Sequence, residues 1–382
     1  MTGDDWMPAR RRSRSVRIGV NLLWLRPGQV GGTETYAVSH IRGLADQRPE
    51  GLEFTFFVLP SFAEAHPDLA ARVEWVPAPV SGRSQGVRVA AEASWLAAQS
   101  RRRALDVVHH VGGTIPVVRG ARAIVTVHDV QYLEHPEYFS PAKRAFLCRR
   151  VPAAIKGSEL VLVPTEFTRR EVIDRLGATP ERVLVVPPGF EGVTQAISQR
   201  THHDAEVPTF VYPALTHPHK DHGVAIGAMA VLRERGIDAR LILTGSPGRA
   251  DQGVRELIEE LDLGDRVEVR GHIPRVELDA ALDESVALVY PSRYEGFGAA
   301  AVEAMSRGVP VLVASGTGMA EVVAEAGMLL PPGDPREWAT AMAALIADPA
   351  ARRAMSEAGR ARAADFGIEA STKRLIEVYR ML

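Results

Sequence analysis

The chain has a single cysteine, Cys148, among 382 residues. One thiol cannot close an intramolecular disulfide or build a multi-cysteine metal site, and such sparing use fits a reducing cytoplasm. An excess of charge of one sign is also missing. Lysine and arginine total 45 against 47 acids, a formal net charge of −2, whereas a general nucleic-acid binder needs a basic face. No stretch approaches the ~18 consecutive apolar residues that span a bilayer. The opening MTGDDWMPARRRSRS lacks the apolar segment of a secretory signal. Several catalytic patterns are absent too. There is no GxxxxGK[ST] loop for ATP phosphates and no G-x-S-x-G hydrolase elbow. There is no GxGxxG after the first strand, since VGGTET has another spacing. No Asp-x-Asp pair occurs, so an obligatory metal is not expected.

What remains is an ordinary globular balance, 46% apolar and 24% charged. The chain is too long for one typical core and suits two domains. Residues 1–15 read as a disordered leader. Its Arg10, Arg11, Arg12 and Arg14, with Arg17 just beyond, offer weak attraction to anionic lipid, about 1 kcal/mol per charge near the surface. From VRIGVNLL (16–23) onward, short apolar runs alternate with helical patterns. They include LEFTFFVLP (52–60), an amphipathic helix over 84–103, LDVVHHV, ARAIVTVHDV, a helix over 141–156, FTRREVIDRLG closed by Gly177, and RVLVVPPGF (182–190). Residues 191–207 are polar and aperiodic and read as a linker. Alternation restarts at TFVYPAL and runs to VPVLVAS, and 350–382 is helical. This order predicts βαβ units and parallel sheets. The expected fold class is α/β, with two Rossmann-like doubly wound domains, 16–190 and 208–366, facing across a cleft. Ligands of such sheets bind at the carboxyl ends of the strands.

The most informative segment is VALVYPSRYEGFGAAAVEAMSRGVPVLVA, 286–314. A strand runs into the loop Glu295-Gly296-Phe297-Gly298, and a helix starts near Ala299. Free backbone N–H groups and the positive helix end suit a pyrophosphate there, and the two glycines let backbone approach it. Glu303 sits in an otherwise apolar helix, an unusual place for a lone acid.

Glu295 and Glu303 form E-x7-E, opened by EGFG and closed by EAM. This resembles the donor-site signature of retaining glycosyltransferases of family 4 (glycosyl transferases group 1), which have the GT-B fold. The resemblance covers nearly the whole chain from about residue 16. It implies that Glu295 contacts the transferred sugar and Glu303 the ribose. The turn PALTHPHKDH (213–222) is similar to the family's Pro-Arg-Lys turn, whose cations neutralise the leaving diphosphate. Pro218 and Lys220 match, and His219 replaces the arginine. The strand-end arginine of many members is missing from Pro213-Ala214-Leu215, so either His219, His217 or Arg293 assists Lys220 or the diphosphate is held less tightly. A metal held by His217, His219 and His222 would lack a completing carboxylate or cysteine.

The loop Val30-Gly31-Gly32-Thr33-Glu34 is a weak phosphate-approach signal alone. The resemblance implies that Gly31 and Gly32 face the donor phosphates. Glu34 fits either an acceptor contact or a helix-start charge. His128 follows a buried strand, with Asp129 beside it as a candidate to orient it. The resemblance implies that His128 touches the donor sugar. His109 and His110 end another strand and are candidates for the acceptor side or for satisfied core histidines.

The resemblance therefore implies a hexosyltransferase. Its donor is an NDP-sugar, GDP-mannose favoured, and its acceptor a glycan, lipid-linked or small molecule. It implies no obligatory metal, a final helix (367–382) crossing back to the N-terminal domain, and a cytoplasmic place with possible peripheral contact at the inner membrane surface. Alternatives are an epimerase or phosphorylase on the same fold, and a non-catalytic nucleotide-sugar-binding protein.

Overall fold

The computed structural model describes residues 15–28, 32–193 and 207–382. Gly31, the arginines at 10–14 and most of the 191–207 linker lie outside the described residues. The N-terminal half contains strands β1 (Val16–Asn21), β2 (Leu52–Val58), β3 (Trp75–Pro77), β4 (Val107–His110), β5 (Arg122–Thr126), β6 (Leu160–Val163) and β7 (Val183–Val185). They pair in the order β3-β2-β1-β4-β5-β6-β7. The second sheet contains β8 (Thr209–Pro213), β9 (Arg240–Thr244), β10 (Val267–Gly271), β11 (Ala287–Tyr290), β12 (Val311–Ala314) and β13 (Met328–Leu330), in the order β10-β9-β8-β11-β12-β13. Every described pairing is parallel. Helices cover both faces, and the strands are therefore apolar along their length, as in LVLV of β6 and VLVA of β12.

Each sheet has a point where strand order reverses, between β1 and β4 and between β8 and β11. Doubly wound folds bind ligands at that crevice. Local chemistry sets many of the helix ends around it. Ser84, Ser140, Thr165 and Thr317 accept backbone N–H groups at helix starts. Gly177 closes helix Glu166–Leu176 at φ 65°.

Some elements differ from the sequence expectation. The strand expected over 182–190 ends at Val185, because Pro187 and Pro188 cannot donate to a ladder. The helix over 84–103 contains a π-helical turn, Glu92–Leu96, with Glu92 and Leu96 buried in it. The three-residue strands β3 and β13 are too short for periodicity to mark them.

Helix Ile368–Tyr379 packs on helix Gly32–Gln47 of the N-terminal half. Leu375, Ile376 and Tyr379 join the core of that half. The approach is close: a Cβ on Gly43 would fall 1.9 Å from Thr372 Oγ1. Where the chain crosses back, Phe190 and Gly367 form a parallel bridge. Among the described residues, no helix is long and apolar enough to cross a membrane.

Candidate active site in the interdomain cleft

A cleft of about 400 Å³ lies between the halves, a size common for ligand sites. Its C-terminal wall comes from the loops that follow the switch-point strands. The β8 loop delivers Lys220, and the β11 loop delivers Glu295. Lys220 Nζ lies 2.5 Å from Glu295 Oε1 and 3.2 Å from the Tyr290 hydroxyl, with both charged side chains only 14% exposed. Burial opposes the ammonium charge, but Glu295 and Tyr290 outweigh it and push the Lys220 pKa up. Burial, with the Glu295 charge, pushes Tyr290 up to about 12.

The loop Glu295–Gly298 is held from both halves. Gly318 N donates to Glu295 O at 2.8 Å. Thr165 Oγ1 and Thr168 Oγ1, from the N-terminal half, donate to Gly296 O at 2.8 and 3.3 Å. A Cβ on Gly296 would meet His128 O at 2.4 Å, so only glycine allows this approach. Phe297 lines the cleft and stacks on Phe190 at 6.0 Å, which ties the loop to the chain crossing. Gly298, at φ 99°, precedes helix Ala299–Ser306, and Ala299 and Ala300 line the cleft. The N–H groups of Ala299 and Ala300 have no carbonyl partner within that helix, and both residues line the cleft.

Glu303, one turn further, accepts from Arg275 at 2.8 Å. Burial raises its pKa and Arg275 partly offsets the rise. On the opposite wall, His128 Nε2 lies 2.8 Å from Val111 O. A carbonyl only accepts, so Nε2 carries the proton, and burial lowers the pKa of the ring to about 4. The neutral ring keeps Nδ1 as an acceptor. Gly32, Thr33, Thr35 and Tyr36 complete this wall.

Three expectations are corrected, and the open choice for His109 and His110 falls to the core. Arg293 does not line the cleft; its Nε pairs with Asp221 at 2.6 Å and its backbone N donates to His219 O. His219 does not line it either. Its ring lies between His217 and Tyr138, and burial with the nearby Lys220 charge lowers its pKa to about 3, so it brings no cation. Asp129 does not orient His128: its carboxylate accepts from Gln131 N at 3.0 Å. His109 and His110 are buried at 1% exposure. His109 bonds Tyr379 OH and Thr126 Oγ1, and His110 bonds Asn21, so neither faces an acceptor. Glu34 accepts from Gly28 N and pairs with His66. Among the described residues, no group of three ligating side chains could hold a metal ion.

Two family profiles match in tandem: Glycosyltransferase Family 4 over residues 30–191 and Glycosyl transferases group 1 over residues 193–362. The chain is 30% identical to a D-inositol 3-phosphate glycosyltransferase of Thermobispora bispora, covering 98% of this chain and 96% of that one. It belongs to glycosyltransferase family 4. An O-antigen chain mannosyltransferase B of Escherichia coli is 26% identical over 72% of this chain and 75% of its own. Among solved structures, the sucrose-phosphate synthase of Thermosynechococcus elongatus superposes with a TM-score of 0.75 at 20% identity, covering 96% and 98% of the two chains. Anabaena Alr3699/HepE in complex with UDP-glucose gives 0.71 at 20% identity, covering 96% and 100%. Both likenesses concern the GT-B fold.

In this glycosyltransferase the cleft brings together Lys220, Glu295, Glu303, His128, Gly32 and the Gly296–Ala299 loop. The sequence reading missed Arg275 and Tyr290. Tyr290 is the last residue of a buried strand, and Arg275 lies 28 residues before its partner Glu303. No local pattern marks either. Leu215 lines the cleft at the missing strand-end arginine position, and Lys220 is the one lysine or arginine lining the cleft among the described residues.

Proposed function

We propose that this glycosyltransferase moves a hexose, with mannose favoured, from an NDP-sugar to a hydroxyl of a glycan, lipid-linked or small-molecule acceptor, with retention at the anomeric carbon. GDP-mannose is the favoured donor. The observation that carries the reading is the Lys220–Glu295 pair in the same cleft as the start of helix Ala299–Ser306, with Glu303 one turn inside.

The diphosphate would lie on the N–H groups of Ala299 and Ala300, with Lys220 against its charge. Glu295 would accept hydroxyls of the sugar and Glu303 those of the ribose. His128 Nδ1 would accept a further sugar hydroxyl. No side chain stands as a covalent nucleophile in this reading. A donor phosphate oxygen takes the acceptor proton as the acceptor oxygen bonds the anomeric carbon and the glycosidic C–O bond to the diphosphate breaks. The chain positions the reactants and stabilises the leaving group. Closure of the two halves keeps water from the donor. No divalent metal is required in this scheme, so turnover should persist in EDTA.

The test is a thermal-shift panel of GDP-mannose, UDP-glucose, UDP-GlcNAc and dTDP-rhamnose on wild type and Glu303→Ala. A donor at a hundred times its Kd stabilises by about 2.7 kcal/mol. One donor stabilising wild type and not the variant supports the assignment. No stabilisation by any donor would overturn the site.

A further inference from the structure

Tyr290 ends β11, beside the point where strand order reverses in the second sheet, and lines the donor cleft. It is 6% exposed, and a tyrosine hydroxyl buried to that degree needs a hydrogen-bond partner. Among the described residues its one partner is Lys220 Nζ, 3.2 Å away. An ammonium only donates, so in this bond the tyrosine oxygen accepts. The hydroxyl's own proton therefore has no acceptor within hydrogen-bond distance among the described residues. Glu295 and Glu303 act on Tyr290 through their charges alone.

The hydroxyl and the ammonium are braced as a unit. β8 and β11 are neighbours in the sheet, and Tyr212 of β8 meets the Tyr290 ring edge-on at 4.9 Å. The Tyr212 hydroxyl donates to Lys220 O. Lys220 Nζ also lies 5.3 Å from the centre of the Tyr290 ring, within reach of its π face. Tyr212 thus holds the Lys220 backbone and the Tyr290 ring together.

The charge in the cleft leaves work for a second donor. Lys220 is the one lysine or arginine lining it among the described residues, and Glu295 already matches that charge. Leu215, on the same wall, brings no polar group. As the glycosidic C–O bond breaks, its electron pair passes to the diphosphate oxygen, and an ammonium shared with a carboxylate faces the new charge. A hydroxyl that accepts from an ammonium is polarised and donates more strongly. Donors fixed in a site with little water stabilise developing charge without reorganising.

We propose that Tyr290 is a further catalytic residue, whose hydroxyl donates a hydrogen bond to the leaving diphosphate oxygen beside Lys220. It acts as a neutral donor in place of a second cation. The proton stays on Tyr290, and the acceptor's proton goes to a donor phosphate oxygen. The inference rests on the glycosyltransferase reading of the cleft.

The test is Tyr290→Phe in the full chain, which keeps the ring and its packing and removes only the hydroxyl. A thermal melt close to that of wild type checks the fold. Both proteins are titrated by calorimetry with GDP and UDP, with GMP and UMP, and with GDP-mannose and UDP-glucose. For whichever base binds wild type, the diphosphate should lose about tenfold or more in the variant, the scale of a hydrogen bond to a charged group. The nucleotide sugar should lose less, because its bridging oxygen carries less charge, and both proteins should bind the monophosphate alike. In turnover, followed as release of the nucleoside diphosphate, the loss should fall mainly in kcat. Equal diphosphate binding by the two proteins, or an unchanged kcat, overturns the proposal. So does an equal loss for monophosphate and diphosphate, since Tyr290 would then only shape the cleft. Any of these results with a nucleotide bound to wild type concerns Tyr290 alone. If no nucleotide binds wild type, the reading of the cleft has failed and this inference falls with it.

Discussion

Lys220 and Glu295 come from loops 75 residues apart and meet at 2.5 Å with little solvent around them. Breaking a buried pair leaves one charge uncompensated, at a cost of about 3–5 kcal/mol. Lys220→Met should lower both the Tm and turnover, turnover by a hundredfold or more, on the order of a lost transition-state charge contact. Glu295→Gln keeps a hydrogen-bond partner for Lys220. It removes the countercharge, however, so it should fold with a lowered Tm and lose mainly kcat, because a neutral amide no longer accepts as a carboxylate. Equal kcat for Glu295→Gln and wild type would remove Glu295 from the sugar site.

Arg275 holds the Glu303 carboxylate at 2.8 Å, against a burial that raises its pKa. Arg275→Ala should raise it further and weaken nucleotide-sugar binding about tenfold, more at pH 6 than at pH 8 because the protonated acid no longer accepts. Calorimetric titration at the two pH values reads this directly. A pH-independent loss would mean that Arg275 contacts the donor itself.

Gly296 packs directly against the other half. Gly296→Ala would place Cβ 2.4 Å from His128 O, a backbone atom that cannot swing aside. We expect a folded protein that closes poorly and loses about a hundredfold in kcat/KM, the scale of an ångström-sized misplacement. Small-angle scattering should show a larger radius in the presence of donor. A fully active variant would show that closure does not require this contact.

The Glu321 carboxylate, in the C-terminal half, accepts from Glu166 N at 2.8 Å and Phe167 N at 2.6 Å. It thus caps a helix of the other half, a contact worth about 1 kcal/mol. Glu321→Ala should speed amide hydrogen exchange at 166–168 and leave the C-terminal half unchanged. Unchanged exchange there would show that the cap contributes nothing to closure.

Burial holds several histidines neutral: the pKa values of His40, His128 and His222 are lowered to about 4, and those of His110 and His219 to about 3, from 6.5. Below pH 6.5 the unfolded chain binds protons that the folded chain refuses. Stability present above that pH is therefore lost as pH falls towards 4, at no more than about 1.4 kcal/mol per pH unit for each ring. Burial raises the Glu92 pKa to about 7, and raises those of Asp129, Glu171 and Glu303 as well, which works the other way because the folded chain then takes up protons first; the buried histidines, with His109 and His217 also lowered, outnumber these acids. Urea titrations across this range should show a falling midpoint. A flat profile would contradict the burial of the rings.

Local patterns made much of the site legible. E-x7-E and the lysine turn each occupy one short stretch, and each begins in the loop after a switch-point strand, while the strand–helix alternation runs along the whole chain. What escaped was long-range pairing. Arg293 could be read as a phosphate ligand until Asp221, 72 residues away, took its guanidinium. His109 and His110 sit inside β4, and only the fold supplies Tyr379 and Asn21 as their partners. Polar partners of this kind leave no periodicity in the chain.

The chain passes between the halves twice, and the two passages lie side by side at Phe190 and Gly367. The core of the first half is completed by helix Ile368–Tyr379. On the ribosome, the domain synthesised first therefore cannot close until the whole second domain has been made, and in the interval it presents the apolar groove around Tyr36, Ile41 and Leu44 to chaperones.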